Sequence, residues 1–493
     1  MLPKRIMGIE TEFGIIPSQV NDGALRDLLR ILYPIQRDAN SQFTANGARV
    51  YIDTGSHIEY ASPECLNAKE LVTYDKAGEE ILNTLLEKIK ERNGEDYFLN
   101  KIKFFKNNTD YSGHTYGCHE NYLISRESMI NPSADEFARK VIPFLVTRPI
   151  YCGSGAYYRN IGYLQEGYSA VPGYIISQRA PHITESHSSS TTNSRAIVNL
   201  RDEPHADPAK YWRLHLILGD ANMSEFSAYL KIGTTYIVLS MIEDDFLETG
   251  FLAIKFPVKS LRTIAQDLTC KSAIELEDGR NISSIDIQSC YLEKARQYYS
   301  QIREPTEEVK DILKKWDYVL EKIAQDPMLL SKEVEWVIKK RIIEKDMERY
   351  GYSWDDDYYK QIQELGESVL CRISDIDLKY HLIDKKGIYN ILKYKGLVAR
   401  IVDDKDIKRA MRFPPKGTRA RVRGKFIKFW QKSEKLFWGK FSCEADWGCV
   451  SIVRPNYNVA NRYIKTFSEI RNPFFTDYRT ILKEVKRIIR EDR

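Results

Sequence analysis

The eight cysteines of this 493-residue chain (65, 118, 152, 270, 290, 371, 443 and 449) include no C-x-x-C pair. That spacing leaves no zinc ribbon, argues against a disulfide framework and predicts reduced thiols. The eight histidines contain no H-x-x-x-H pair, so a zincin-type metal site has no basis. No G-x-x-x-x-G-K-[ST] loop is present, and GSGAYYRNIG (153–162) does not have the spacing of a dinucleotide fingerprint. No apolar run approaches the roughly 18 residues of a membrane span. The opening MLPKRIMGIETEF lacks the apolar core of a signal peptide. A cytoplasmic chain with no membrane partner is expected. The formal net charge of +5 is small for this length and argues against nucleic acid as a partner. Internal repeats and low-complexity segments are also missing.

What is present reads as globular: 43% hydrophobic and 29% charged residues, in a chain long enough for one large domain and a small one. The first 260 residues carry short strand-like runs, among them ARVYID, HENYLIS, GYIISQR, WRLHLILGD and TTYIVLSMI. Helical periods are interspersed, as over 68–94, which Gly94 closes. Beyond residue 305 helices dominate. PTEEVKDILKKWDYVLEKIAQDP places Val309, Ile312, Leu313, Trp316, Leu320 and Ile323 on one face. A break follows at RFPPKGTRARVRGK (412–425), where Arg419, Arg421 and Arg423 alternate as on a strand with one charged face. The expected architecture is α+β: a large domain over residues 1–430 and a small C-terminal domain over 431–493, ending in a helix.

The chemistry begins in RIMGIETEFGII (5–16). Strand alternation puts Met7, Ile9, Thr11, Phe13 and Ile15 on one face, and Gly8, Glu10, Glu12 and Gly14 on the other. Segment 46–66 repeats this build: Arg49, Tyr51 and Asp53 share a face, a Thr-Gly-Ser turn follows, and Glu59 sits in the next short strand. Four carboxylates gathered on strand faces are costly unless something compensates them. Hard divalent cations do so, and magnesium takes its remaining oxygens from water and phosphates. The pattern therefore points to a nucleoside triphosphate held through Mg²⁺ by carboxylates instead of a glycine loop, as in ligases of the glutamine synthetase type. Two further runs support an enzyme site. His119 and Asn121 share a strand face, and residues 201–220 concentrate Arg201, Asp202, Glu203, His205, Asp207, Arg213, His215 and Asp220.

Long stretches of the chain resemble the Pup ligase and depupylase family (PafA and Dop): RIMGIETEFG, NGARVYIDTGSHIEYASPEC, FFKNNTDYSGHTYGCHENYLISR, NLRDEPHADPAKYWRLH, GDANMSE and the closing NPFFTDYRTILKEVKRII. The resemblance runs nearly end to end. It implies a glutamine-synthetase-like large domain with a curved antiparallel sheet as cradle and a small C-terminal domain against it, acting as a monomer. It also implies the reaction. ATP phosphorylates the side-chain carboxylate of the C-terminal Glu of Pup, a small ubiquitin-like protein, and a lysine of a target protein attacks to form an isopeptide bond that marks the target for degradation.

By resemblance, Glu10, Tyr51 and Glu59 are Mg²⁺ ligands with Glu12 beside them. Arg49 and Ser62 contact the nucleotide, Trp447 reaches it from the small domain, and Asp53 is the catalytic base. Ile58 and Ser62 depart from the family pattern, where Pro and Thr are usual. The depupylase branch, which hydrolyses the same bond or deamidates Pup, carries a long loop for which residues 15–45 leave no room. GDANMSEFSAYLKIGTT leans the other way. A small-molecule carboxylate–amine ligase and a non-catalytic relative are the remoter alternatives.

Overall fold

The computed structural model describes residues 5–17, 20, 22–32, 40–53, 55–93, 101–110, 114–129, 134–158, 173–188, 194–351, 367–437, 441–454 and 462–491. Strand alternation at the N-terminus is realised as β1 (Met7–Ile16), whose core face buries Met7, Ile9 and Phe13. Next come β2 (Ser41–Phe43), β3 (Arg49–Asp53), β4 (His57–Ala61), β5 (Lys103–Phe105) and β6 (Cys118–Ser125). A separate two-stranded sheet pairs β7 (Ala156–Tyr158) with β8 (Gly173–Ile175); β9 (Glu185–Ser188), β10 (Ala196–Asn199) and β11 (Tyr211–Leu216) return to the main sheet.

The main sheet has the order β2-β3-β4-β1-β6-β11-β10-β9, with β5 pairing the end of β1. Neighbouring strands run antiparallel except for β9 and β10, which are parallel at one edge. The architecture is the expected α+β one. Helices Ala134–Thr147, Glu225–Glu243, Ser284–Gln301 and Glu307–Gln325 pack behind the sheet in one hydrophobic core. That leaves the polar face of β1 free for chemistry.

Two expected strands are helices. TTYIVLSMI lies within Glu225–Glu243, whose N-terminus Ser224 caps by accepting from the Ser227 amide. This helix is buried on nearly every side, so its apolar residues show no period, and a short β-branched apolar run cannot be told from a strand. Thr234, Thr235 and Ser240 satisfy their hydroxyls on carbonyls four residues back. The Arg419–Arg423 run opens the helix Ala420–Phe437. Its spacing is i, i+4, and both arginines reach the same buried Glu64.

The helix Glu307–Gln325 matches its expected stripe, with Thr306 as N-cap and Val309, Ile312, Trp316, Leu320 and Ile323 buried. Leu313 only packs against the edge of the core, and Val319 is buried in addition.

Residues from Ala420 onward build a second core. The helix Ala420–Phe437, a three-stranded sheet (Ser442–Ala445, Val450–Arg454, Arg462–Phe467) and the helix Tyr478–Glu491 enclose Val422, Phe426, Trp430, Ile452 and Val485, joined by Phe43 of β2. Residue 430 lies inside the first of these helices.

Candidate active site

Cross-strand register assembles the polar face. Glu12 lies opposite Glu59, and Glu59 opposite Tyr51. On the other side of β1, Glu10 lies opposite His119 and Gly8 opposite Asn121, which in turn faces His215. Registered partners point to the same side of a sheet, so five adjacent strands present one continuous polar surface.

Two clusters form on it. In the first, one carboxylate oxygen each from Glu12, Asp53 and Glu59 lies within 4.8 Å of the others. Glu12 and Glu59 are buried, and Asp53 is half-buried at the end of β3. Burial pushes the Glu59 carboxyl well above the usual range, and the charges of Glu10 and Glu12 push it further. The Tyr51 hydroxyl, hydrogen-bonded to Glu59, is raised by the same burial and by the charges of Glu59 and Glu10. The glycine at 117 keeps this space open: a Cβ there would come 2.2 Å from His119 Nε2 and 2.9 Å from Glu12 Oε1.

In the second cluster, Glu10, His119 and His215 each offer one atom within the same 4.8 Å limit. His119 Nδ1 is 3.4 Å and His215 Nε2 3.9 Å from Glu10 Oε2, and Arg213 Nη1 is 3.7 Å from Oε1. Burial alone would raise the Glu10 carboxyl. The His119 hydrogen bond and the charges of His215, His119 and Arg213 outweigh it and hold the group far down. Burial, His119 and Arg213 depress His215 to about 3. Both ring nitrogens of His215 are buried without a hydrogen-bond partner. A buried acid raised by burial and by its acidic neighbours, beside an imidazole without a hydrogen-bond partner, is a donor set suited to divalent cations.

A cavity adjoins the first half of β1. It is lined by Gly8, Glu10, Ser62, Asn121, Arg213 and, from the C-terminal unit, Trp447. Ser62 is buried, and its Oγ accepts from the Ile9 amide at 3.0 Å. Trp447 meets Phe43 edge to face, with ring centroids 5.2 Å apart. The Arg423 guanidinium carbon lies 4.8 Å from the Trp447 ring and 4.9 Å from that of Phe43. Arg423 also donates to Gly47 O at 2.7 Å and, with Arg419, to the Glu64 carboxylate. Burial would raise Glu64, but Arg423 and Arg419 hold it down at about 2. A buried Arg–Glu–Arg network thus positions the tryptophan against the large unit.

Of the residues expected from sequence, Glu12, Asp53 and Glu59 come together with Tyr51 alongside, while Ser62, Trp447 and Glu10 share the cavity. Glu10 groups with the two histidines instead of with Glu12 and Glu59. Arg49 stands apart from the cavity lining: its guanidinium carbon lies 4.6 Å over the Tyr51 ring and its Nε donates to Ser41 Oγ at 2.6 Å. Alternation in HENYL and WRLHL marked His119, Arg213 and His215 as polar strand residues, yet gave them no role.

A family model described as Pup-ligase protein matches residues 20–450. The Pup--protein ligase of Mycobacteroides abscessus is 40% identical over 447 residues, covering 88% of this chain and 92% of that protein. The Pup--protein ligase of Mycolicibacterium smegmatis aligns with the same 40% identity, 88% and 92%. Among solved structures, the ligase PafA in complex with the prokaryotic ubiquitin-like protein Pup superposes with a TM-score of 0.80 at 29% identity, covering 99% of this chain and 91% of that one. The Pup ligase PafA in complex with ADP gives 0.76 at 32%, covering 99% and 98%.

Proposed function

The chain belongs to the Pup-ligase family, and from that premise we propose that it joins the side-chain carboxylate of a Pup C-terminal glutamate to lysines of target proteins, consuming ATP. The observation that carries this reading is the juxtaposition of the Glu12–Asp53–Glu59 cluster with the cavity under Trp447. One offers a place for a phosphoryl group and its counter-ions, the other a place for the nucleotide. Glu12, Tyr51 and Glu59, with Glu10 and its histidines beyond them, would hold Mg²⁺, which when bound neutralises phosphate charge.

The chain's own residues have three tasks. Ser62, Arg213 and Trp447 bind and orient the nucleotide. The carboxylate-lined cradle aligns the glutamate side chain, whose activation as an acyl phosphate drives amide formation in water. Asp53 Oδ takes the proton of the attacking lysine. A lysine of pKa about 10.4 is neutral in roughly one molecule in 2,500 at pH 7, a cost of about 4.6 kcal/mol, which a positioned base offsets during attack. Among the described residues no helix is long and apolar enough to cross a membrane; we place the reaction in the cytoplasm.

The test incubates the chain with ATP, Mg²⁺, Pup ending in glutamate and a lysine-bearing target, and in parallel with preformed conjugate. Conjugate formation with stoichiometric ADP release is expected. Rapid conjugate loss without any formation would assign the hydrolytic branch instead.

A further inference from the structure

Beyond the Glu12 end of β1 lies a group of cations that the reading above does not use. Arg179, His182, Arg195 and Arg262 converge on segment 179–184. The His182 amide donates to the Arg179 carbonyl at 2.9 Å, and the Thr184 amide to the Arg195 carbonyl at 2.8 Å. Arg262 Nη2 donates to the Ile183 carbonyl at 2.6 Å.

Arg179 is buried, its guanidinium fixed on the Ile217 carbonyl at 2.9 Å and on Thr115 Oγ1 at 2.9 Å, and its charge acts on Glu12. Arg179 Nη1 also donates to the Tyr116 carbonyl at 3.4 Å, and the Glu12 amide donates to the neighbouring Gly117 carbonyl at 3.1 Å, which places the group beside the acid cluster. Arg195 is half-buried, and its guanidinium has no hydrogen bond or ion pair among the described residues. His182 is 8% exposed, and its Nε2 is buried without a hydrogen-bond partner. Burial, then the charges of Arg179 and Arg195, hold His182 down at about 3. Asp110, the acid that acts on His182, is itself bonded to His114 Nδ1 at 2.7 Å. Among the described residues, the Arg195 guanidinium and His182 Nε2 are thus two donors left without a hydrogen-bond partner, near the buried Arg179.

The substrate poses a problem that such donors solve. A C-terminal glutamate carries two carboxylates, and only the side-chain one is to be activated. Activating the other would yield an ordinary α-amide. The nucleotide cavity adjoins Gly8 and Glu10, whereas Arg179 is bonded to Thr115 and Tyr116, next to the Gly117 carbonyl that takes the Glu12 amide, further along the strand. We propose that Arg195 and His182 Nε2 bind the α-carboxylate of the Pup C-terminal residue, leaving its side-chain carboxylate to face the Glu12–Asp53–Glu59 cluster. This assignment rests on the ligase reading above. Guanidinium–carboxylate bonds are charge-assisted and directional, so they give selection as well as affinity.

The probes are fluorescently labelled Pup ending in glutamate and the same protein bearing a C-terminal α-carboxamide. Binding to the full chain with Mg²⁺ and ADP present is followed by anisotropy. The amide should bind roughly ten- to a hundred-fold more weakly. Arg195→Gln should weaken the free acid by a similar factor and abolish the discrimination between the two, with ADP affinity unchanged. The Arg195 guanidinium has no hydrogen bond or ion pair among the described residues, and a melting temperature level with the parent checks that the variant keeps its fold. Equal binding of acid and amide by the parent chain overturns the proposal. So does full discrimination by Arg195→Gln, or loss of ADP affinity in its place. Discrimination without conjugate formation would instead sink the ligase reading and leave the carboxylate assignment standing.

Discussion

Glu59 and Glu64 lie five positions apart and are both buried, yet their surroundings are opposite. Glu64 is matched by Arg419 and Arg423 and held down at about 2. Glu59 faces Glu10, Glu12 and Asp53, and its carboxyl is forced up. One acid is neutralised by the protein and fastens two units together. The other stands among acids, where the proposed cation would supply the missing charge. A buried acid among acids marks a ligand site; a buried acid among arginines marks a joint.

The sharpest way to break this comparison is to remove each acid in turn. Glu59→Ala deletes a proposed Mg²⁺ ligand without emptying the core, so conjugation and ATP turnover should fall to background while the melting temperature stays level or rises. Parental turnover at saturating Mg²⁺ would deny Glu59 its role. Asp53→Asn keeps the shape and loses the proposed base. Lysine transfer should drop about 10²–10⁴-fold, with ADP affinity by titration nearly unchanged.

Glu64→Gln should do the reverse and strike folding first. Two buried guanidinium groups would lose their counter-charge, at a cost of about 3–5 kcal/mol in a denaturant melt. Trp447 fluorescence should report the loosened joint. The pH dependence carries opposite signs for the two acids. The folded value of about 2 for Glu64 lies below the ordinary 4.5, so its contribution is complete above 4.5 and lost as pH falls towards 2. Glu59 is raised, so without divalent cation the folded chain loses stability as pH climbs from 4.5. Melting curves with and without Mg²⁺ should therefore diverge as pH rises, and Glu59→Ala should close the gap. Curves that stay parallel would mean that the cluster binds no cation.

The same contrast explains what sequence could reveal. Period-two alternation put Glu10, Glu12, Tyr51, Asp53 and Glu59 on strand faces, because a half-buried strand writes its register directly into the residue pattern. It could not say that Glu10 would pair with His119 and His215, since that depends on β6 and β11 lying beside β1, a long-range choice. The Glu64 joint was hidden for another reason. Arg419 and Arg423 fit alternation and the helical i, i+4 spacing equally well, and only the buried partner decides between them. The helix Glu225–Glu243 lost its signature because, wrapped by core, it has no wet face to set a period.

The smallest expected effect lies at Ser62, where the resemblance implies threonine. The Ser62 Oγ accepts from the Ile9 amide at 3.0 Å, and a Cβ built at Gly8 would stand 3.6 Å from it. Ser62→Thr keeps the hydroxyl and adds one methyl beside a glycine, where the strand leaves room. The KM for ATP should stay within about three-fold of the parent, less than the loss of a hydrogen bond would cause. Ser62→Ala leaves a buried amide of β1 without its acceptor, a cost of about 1–3 kcal/mol, and that strand carries both Glu10 and Glu12. The pair of variants separates two roles for the position. If the hydroxyl serves only the strand, alanine should lower the melting temperature and change KM little at a temperature where the chain stays folded. If it also touches nucleotide, KM should rise with alanine and hold with threonine. Equal KM values for all three at that temperature would remove Ser62 from the nucleotide site and leave it as a clasp on β1.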